Sequence, residues 1–200
     1  MIQFLAKKTA CYLAKDCDIA DVEVLTYGYY ILYQEWIVRI GMLLVALSFG
    51  LFFHVLTSII VFNLIRRSAM GSHAKYPILC RIITYTVAFG PAILAVYFAL
   101  RLTAVPLTVL YAFSVVSLLL YAPAETDVKK VNCPIERKQL KKEAVVWLTV
   151  LFLIAVLING LLPEISFVIV ATAVAACCMT HPWMYWINGF DPVTKEVRRN

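Results

Sequence analysis

The chain has 200 residues, of which 62% are hydrophobic and 15% are charged, and its mean hydropathy is +0.84. A soluble domain is usually about half apolar and about a quarter charged, and a fold of this size cannot bury so much apolar surface. This composition excludes a soluble globular enzyme and a nucleic-acid-binding domain, and it predicts an all-α polytopic membrane protein. The net charge is +6. In a membrane protein, an excess of basic residues indicates cytoplasmic segments that contact anionic lipid.

The first segment, residues 1–22, predicts an amphipathic helix that lies in the membrane interface. Its lysines fall outside one apolar face that repeats at helical spacing. That face consists of Ile2, Leu5, Thr9, Tyr12 and Leu13. The segment lacks the long apolar core and the small-residue cleavage site that are typical of a secretory signal peptide.

Six apolar runs predict six transmembrane helices in a single membrane domain, residues 1–200. Residues 25–66 hold the first two spans, because one continuous helix of about 42 residues would be about 63 Å long, twice the thickness of the hydrocarbon core. A tight turn near Ser48-Phe49-Gly50 is expected to separate them. The third and fourth spans lie within residues 82–122, and the fifth and sixth lie within residues 144–180.

The placement of basic residues predicts which side of the membrane each loop faces. With a cytoplasmic N-terminus, all 18 Lys and Arg residues except Arg39 and Arg101 fall in cytoplasmic segments. These segments are residues 1–24, the polar segment 66–81, the basic loop 123–143 and the tail 181–200. The positive-inside rule therefore favours a multi-pass protein with both termini in the cytoplasm.

The polar segment 66–81 contains one histidine and one cysteine, His73 and Cys80. A cysteine protease needs a thiolate and an imidazole within hydrogen-bond reach of each other. Basic residues nearby favour a thiolate electrostatically, namely Arg66, Arg67, Lys75 and Arg81. The alternative interpretation is an exposed loop histidine and a lipid-facing thiol, and the spacing alone does not exclude it.

The spacing of this pair also constrains the backbone. On a straight helix His73 and Cys80 would lie about 10 Å apart along the axis, which is too far for a hydrogen bond. The segment must therefore bend, and Gly71 and Pro77 are the residues that permit a bend. We expect a broken or re-entrant segment here. No CxxC pair and no histidine at zinc-finger spacing accompanies the six cysteines, so the sequence predicts no metal site and no cofactor.

The run Gly71-Ser72-His73-Ala74-Lys75 followed by Cys80, after the Arg66-Arg67 pair, resembles the accessory gene regulator B (AgrB) family of bacterial quorum-sensing membrane endopeptidases. Tyr27-Gly28 in the first span and Tyr121-Ala122-Pro123-Ala124 after the fourth also fit this family. The basic loop, the length and the number of spans agree as well, so the resemblance covers most of the chain.

The resemblance implies a thiol protease that cleaves the precursor peptide of a quorum-sensing signal (AgrD-like) and promotes closure of the autoinducing peptide into a thiolactone or lactone ring. Cys80 would be the nucleophile and His73 the general base, while Arg66 and Gly71 would shape the site or hold the substrate. A homodimer is also implied, and short spans with polar residues favour one. The site would lie near the cytoplasmic face of the bacterial cell membrane.

Two further groups each have two interpretations. Glu35 lies within the first span, where a charged side chain is a functional candidate, although it can instead pair with Arg39 one helical turn away. Lys129 and Lys130 belong to the basic loop, which either contacts lipid or recognises the acidic tail that precursors of this family carry.

Two other functions compete with proteolysis, namely export of the signal peptide and a non-enzymatic membrane scaffold. Six spans could support transport. However, the sequence shows no nucleotide-binding motif and no chain of ionisable residues through the later spans.

Overall fold

The computed structural model describes residues 2–13, 19–70, 77–98, 102–124 and 133–180. Within these ranges the chain is helical and contains no β-strand, which confirms the all-α class. The helices form two compact units, Met1–Gly50 and Leu51–Asn200. The described helices are α1 (Ile2–Leu13), α2 (Ile19–Ser48), α3 (Phe52–Ala69), α4 (Pro77–Tyr97), α5 (Ala104–Tyr121), α6 (Pro134–Ile158) and α7 (Pro163–Cys178).

The first unit is a pair of helices in which α1 packs along α2. Ala6 and Ala10, one turn apart, are fully buried, whereas Leu5 and Tyr12 of the predicted apolar face are exposed. The Thr9 hydroxyl lies 2.9 Å from the Tyr33 hydroxyl in a hydrogen bond between the two helices. The face that packs on α2 therefore contains the two alanines and Thr9, because small side chains allow two helices to approach closely. The position of α1 in the membrane interface stays a prediction.

The second unit is a five-helix bundle in which successive helices reverse direction. At one end the Ala124 N–H donates to the Ala69 carbonyl at 3.0 Å, which joins the ends of α3 and α5. Lys141 in the second turn of α6 and Met179 after α7 lie at the same end, as shown by their contacts with α5 and α3. We call this the Cys80 end, since α4 begins there and carries Cys80 in its first turn.

The opposite end of the bundle, the Glu164 end, is held by contacts between different helices. The Asn159 amide donates to the Leu102 carbonyl at 3.3 Å, which joins the end of α6 to the start of α5. His54 near the start of α3 lies 3.6 Å from the Glu164 carboxylate at the start of α7. Together the two ends show that α3, α5 and α7 run in one direction and α4 and α6 in the other.

One face of α3 forms the centre of this bundle. Its buried residues recur every three or four positions, which is the spacing of a single helix face. They are Val55, Ser58, Val61, Ile65 and Ser68, and Ala69 is buried next to the last of them. Thr172 of α7 donates to Ser58 at 3.2 Å, so this face packs against α7.

Each predicted span overlaps with one helix from α2 to α7. Among the described helices, residues 22–48 of α2, all of α3 and residues 78–97 of α4 are long and apolar enough to cross a membrane. The helices α5 and α7 contain shorter apolar stretches. A membrane protein is therefore supported, while the count of six crossings stays a prediction.

The chain between α3 and α4 is only partly described. The helix α3 ends at Ala69, and α4 begins at Pro77. Met70 between them has φ 59° and ψ −133°, which lies in the left-handed half of backbone space. The predicted bend at residues 71–76 lies outside the described residues.

Candidate functional site

Cys80 is the fourth residue of α4 and lies in its first turn. Pro77 opens this helix, which suits proline because the first helical position needs no backbone N–H donor. The Cys80 thiol is partly buried, and its carbonyl accepts a hydrogen bond from the Thr84 hydroxyl at 2.8 Å. A helix N-terminus carries a partial positive charge, so this position favours a negatively charged group.

A layer of apolar side chains relates Cys80 to the neighbouring helices. Phe62 of α3, Val87 of α4 and Met179 beyond α7 meet in this layer, together with Ile83. Cys80 precedes Ile83 by about one helical turn. Arg66 follows Phe62 by about one turn in the helix that runs the other way. Cys80 and the last turn of α3 therefore lie on the same side of this layer, toward the Cys80 end of the bundle.

The Arg66 side chain is held against this layer. Its guanidinium carbon lies 5.4 Å from the centre of the Phe62 ring, within the range of a cation–π contact. One guanidinium nitrogen donates to the Met179 sulfur at 3.7 Å. The next residue, Arg67, is exposed at the same end of the bundle. Of the two arginines, Arg66 is the one whose position is fixed by packing.

The segment Ala122–Ala124 fixes the point where the chain leaves α3. Met70 forms an isolated parallel β-bridge with Ala124, whose N–H donates to the Ala69 carbonyl. All three residues of the segment are buried, and the Ala122 N–H donates to Leu118 at 3.0 Å. We call Ala122–Ala124 the strap. The strap therefore holds Met70, which precedes His73 by three residues.

One lysine of the basic loop 123–143 has a structural role at the Cys80 end. The Lys141 ammonium donates to the Leu119 carbonyl in the last turn of α5. Carbonyls at the end of a helix have no partner within that helix, and a basic side chain can satisfy them. Lys141 therefore caps α5 immediately before the strap.

Other predicted site residues fall outside the part of the chain that the structure describes. They are Gly71, His73, Lys129 and Lys130. Glu35 belongs to the first unit, on α2, where Arg39 donates to its carboxylate at 2.9 Å. This confirms the pairing that the i, i+4 spacing predicts. A role for Glu35 in the site stays a prediction.

Sequence reasoning missed the function of the strap, the cap at Lys141 and the state of Ser68. The run at residues 121–124 was visible as a feature of the resemblance, but nothing in it indicates contact with Met70, which lies 54 residues earlier. The Ser68 hydroxyl is buried without a hydrogen-bond partner, and a single serine in a polar run gives no such signal.

These features define a helical protein of the membrane type with a basic bundle end built around a partly buried cysteine. The family model described as accessory gene regulator B (AgrB) matches residues 6–183. The chain therefore belongs to the accessory gene regulator B family. Membership implies involvement in the processing of a quorum-sensing autoinducer peptide from its precursor. No curated protein and no solved structure matches the chain.

Proposed function

We propose that the protein is a membrane cysteine endopeptidase that cleaves the precursor of a quorum-sensing autoinducing peptide and promotes its cyclisation. The observation that carries this proposal is the position of Cys80. It is a partly buried thiol in the first turn of a helix, at the bundle end where Arg66 and the strap also lie. The family supplies the substrate class.

The first chemical step is attack of the Cys80 thiolate on the scissile carbonyl carbon. His73 acts as the general base that takes the thiol proton. A C–S bond forms, and the C–N bond breaks. The leaving amine of the precursor's C-terminal part takes the proton from the His73 imidazolium. The product is a thioester between Cys80 and the N-terminal part of the precursor.

The second step transfers this acyl group to a side chain of the precursor itself. A thiol of the peptide gives its proton to His73 and attacks the thioester carbonyl, so that a new C–S bond closes the thiolactone ring. The bond from the acyl carbon to the Cys80 sulfur breaks, and Cys80 leaves as a thiolate; a hydroxyl would close a lactone in the same way. Exchange of one thioester for another is nearly balanced in free energy, whereas the first step is uphill. Removal of the cleaved tail or of the cyclic product must therefore drive the two-step reaction forward.

The charge of the Cys80 end suits a peptide with an acidic tail. Basic residues that the structure describes at this end include Arg66, Arg67, Arg81, Arg137, Lys138, Lys141 and Lys142. Lys141 is occupied by the cap on α5, so the proposed recognition rests on the others and on Lys129 and Lys130. The same charges support a cytoplasmic position for this end, since basic residues are enriched on the cytoplasmic side of membrane proteins.

The experiment is co-expression of a precursor peptide with four variants of the full chain. The proposal predicts that Cys80→Ala and His73→Ala abolish cleavage while leaving the amount of membrane-inserted protein unchanged. The matched controls are Cys133→Ala and His54→Ala. Cys133 is an exposed thiol immediately before α6, and His54 lies at the Glu164 end.

Both control variants should process the precursor at the wild-type level. Cleavage that persists in Cys80→Ala would overturn the endopeptidase proposal and favour a carrier or scaffold. Loss of cleavage in Cys133→Ala together with retention in Cys80→Ala would assign the nucleophile to a different helix start.

A further inference from the structure

The helix that carries Cys80 changes its packing along its length. In the first half of α4, none of the residues 78–86 is buried. In the second half, buried residues recur every three or four positions, which is the spacing of a single helix face. They are Val87, Ala88, Pro91, Ala92 and Ala95. The second half of α4 is therefore fixed in the bundle, whereas the first half is held by partial contacts.

A proline lies close to the boundary between the two halves. Pro91 is inside α4, and it has no N–H to donate to the Val87 carbonyl four residues earlier. The other prolines of the described helices lie in the first turn, where a helix forms no such bond. They are Pro77, Pro106, Pro134 and Pro163. Since an internal proline is a common cause of helix bending, α4 can bend at residues 87–91, directly after the part without buried residues.

The face of α4 that carries Cys80 is turned toward α3 and α7. Cys80, Ile83 and Val87 follow one another at positions i, i+3 and i+7, so they share one face of the helix. Ile83 and Val87 pack in the layer that also contains Phe62 of α3 and Met179 beyond α7. A peptide carbonyl must come within bonding distance of the Cys80 sulfur. On this face the room for a peptide depends on how far α4 stands from α3 and α7.

We propose that residues 78–86 form a lid over the space between α4 and its neighbours, and that this lid swings about residues 87–91. It moves away from α3 and α7 to admit the precursor peptide and returns once the thioester on Cys80 has formed. The closed lid keeps water from the thioester, so that the peptide's own thiol reacts in its place. This proposal rests on the proposed function, and it adds the motion by which the substrate reaches the thiol.

The first test compares Pro91→Ala with the matched variant Pro106→Ala, using full-length protein in phospholipid vesicles. Alanine at residue 91 can donate to the Val87 carbonyl, so bending would require that this bond be broken. Residue 106 precedes the first hydrogen bond within α5, which runs from Leu107 to Thr103, so alanine there adds no such bond.

We expect Pro91→Ala to lower kcat/KM for a synthetic precursor about tenfold. A tenfold change corresponds to about 1.4 kcal/mol, which is close to the net contribution of one backbone hydrogen bond. Pro106 is exposed, and Pro106→Ala should stay within about twofold of wild type. The thermal unfolding midpoint of each variant is measured in the same vesicles.

The second test measures the motion itself and does not depend on the stability of a proline variant. Spin labels are introduced as noncanonical amino acids at Ile82 in the first half of α4 or at Ile93 in the second half. Each is paired with a label at Val146 of α6, and all three side chains are exposed. The Cys80→Ala background leaves the precursor uncleaved. We expect added precursor to shift the distance distribution from Ile82 and to leave that from Ile93 unchanged, as measured by pulsed electron paramagnetic resonance.

Two results would each overturn the lid. One is a wild-type kcat/KM in Pro91→Ala, which would show that bending at this proline is not needed. The other is the same response of both label pairs to precursor, which would show that α4 does not bend between its halves. If Pro91→Ala loses thermal stability together with activity, the label pairs decide the question. Cleavage by Cys80→Ala would instead refute the endopeptidase, while the label distances would still report on the lid.

Discussion

The two ends of the five-helix bundle are built in different ways. At the Glu164 end the turn between α6 and α7 is closed by backbone hydrogen bonds from Leu161 and Leu162 to Ile158, and a side-chain bond from Asn159 fixes α5. At the Cys80 end the backbone leaves helical geometry at Met70 and pairs with the strap. The comparison shows that irregular backbone is combined with basic charge at the Cys80 end, and irregular backbone often occurs at functional sites. Buried polar atoms without a hydrogen-bond partner occur at both ends, in Ser68 at the Cys80 end and in His54 and Asn159 at the Glu164 end.

The largest effect that separates the two ends is expected from Ala124→Pro. Proline has no N–H, so the bond to the Ala69 carbonyl is lost, and a buried unpaired carbonyl costs about 1–3 kcal/mol. We expect precursor cleavage to fall at least tenfold, because the chain leading to His73 loses its anchor. Ala124→Gly keeps the N–H and should cleave within about threefold of wild type. Equal cleavage by the two variants would show that the strap does not position the site.

A second comparison concerns the backbone at Met70. A β-branched residue tolerates the observed φ of 59° poorly, whereas glycine adopts it freely. Met70→Val should therefore be less stable than Met70→Gly by about 1–3 kcal/mol, measured by thermal unfolding in detergent. If valine were the more stable substitution, the left-handed conformation of Met70 would be contradicted.

The third prediction compares the stability effects of two adjacent lysines in the basic loop 123–143. Lys141→Ala removes the cap on the Leu119 carbonyl and should lower stability by about 0.5–1.5 kcal/mol. Lys142→Ala changes an exposed side chain and should leave the unfolding midpoint unchanged. The same midpoint for both variants would mean that the cap contributes nothing.

The smallest effect is expected at the Glu164 end. His54 and Glu164 are 3.6 Å apart, and the carboxylate is 41% exposed, so the pair is worth less than about 1 kcal/mol. Glu164→Gln should therefore leave both the unfolding midpoint and cleavage close to wild type. A loss of cleavage comparable to that of Ala124→Pro would show that the two ends are not functionally distinct.

The sequence predicted the helices better than it predicted their ends. Gly50 adopts φ 69° in the turn expected near Ser48-Phe49-Gly50. However, α4 begins at Pro77, five residues before the predicted third span, and α6 begins at Pro134, ten residues before the predicted fifth. Hydropathy detects the part of a helix that suits lipid, whereas the helix itself continues through polar residues to a proline that suits its first position.

The contacts that build the Cys80 end could not be predicted from one sequence. Met70 and Ala124 are 54 residues apart, and Arg66 and Met179 are 113 residues apart. Periodicity reports which face of a helix is apolar, but not which distant segment meets it. By contrast, the Glu35–Arg39 pair follows from an i, i+4 spacing on one helix, and it was predictable for that reason.

The central claim is that Cys80 carries the acyl intermediate. The most direct measurement is intact-mass analysis of the full-length protein in vesicles, quenched in acid shortly after precursor is added. The account predicts a mass increase equal to the N-terminal part of the precursor, which maps to Cys80 and is released by hydroxylamine. Cleavage without any adduct, or with an adduct on Cys133 or Cys178 instead, would contradict the account.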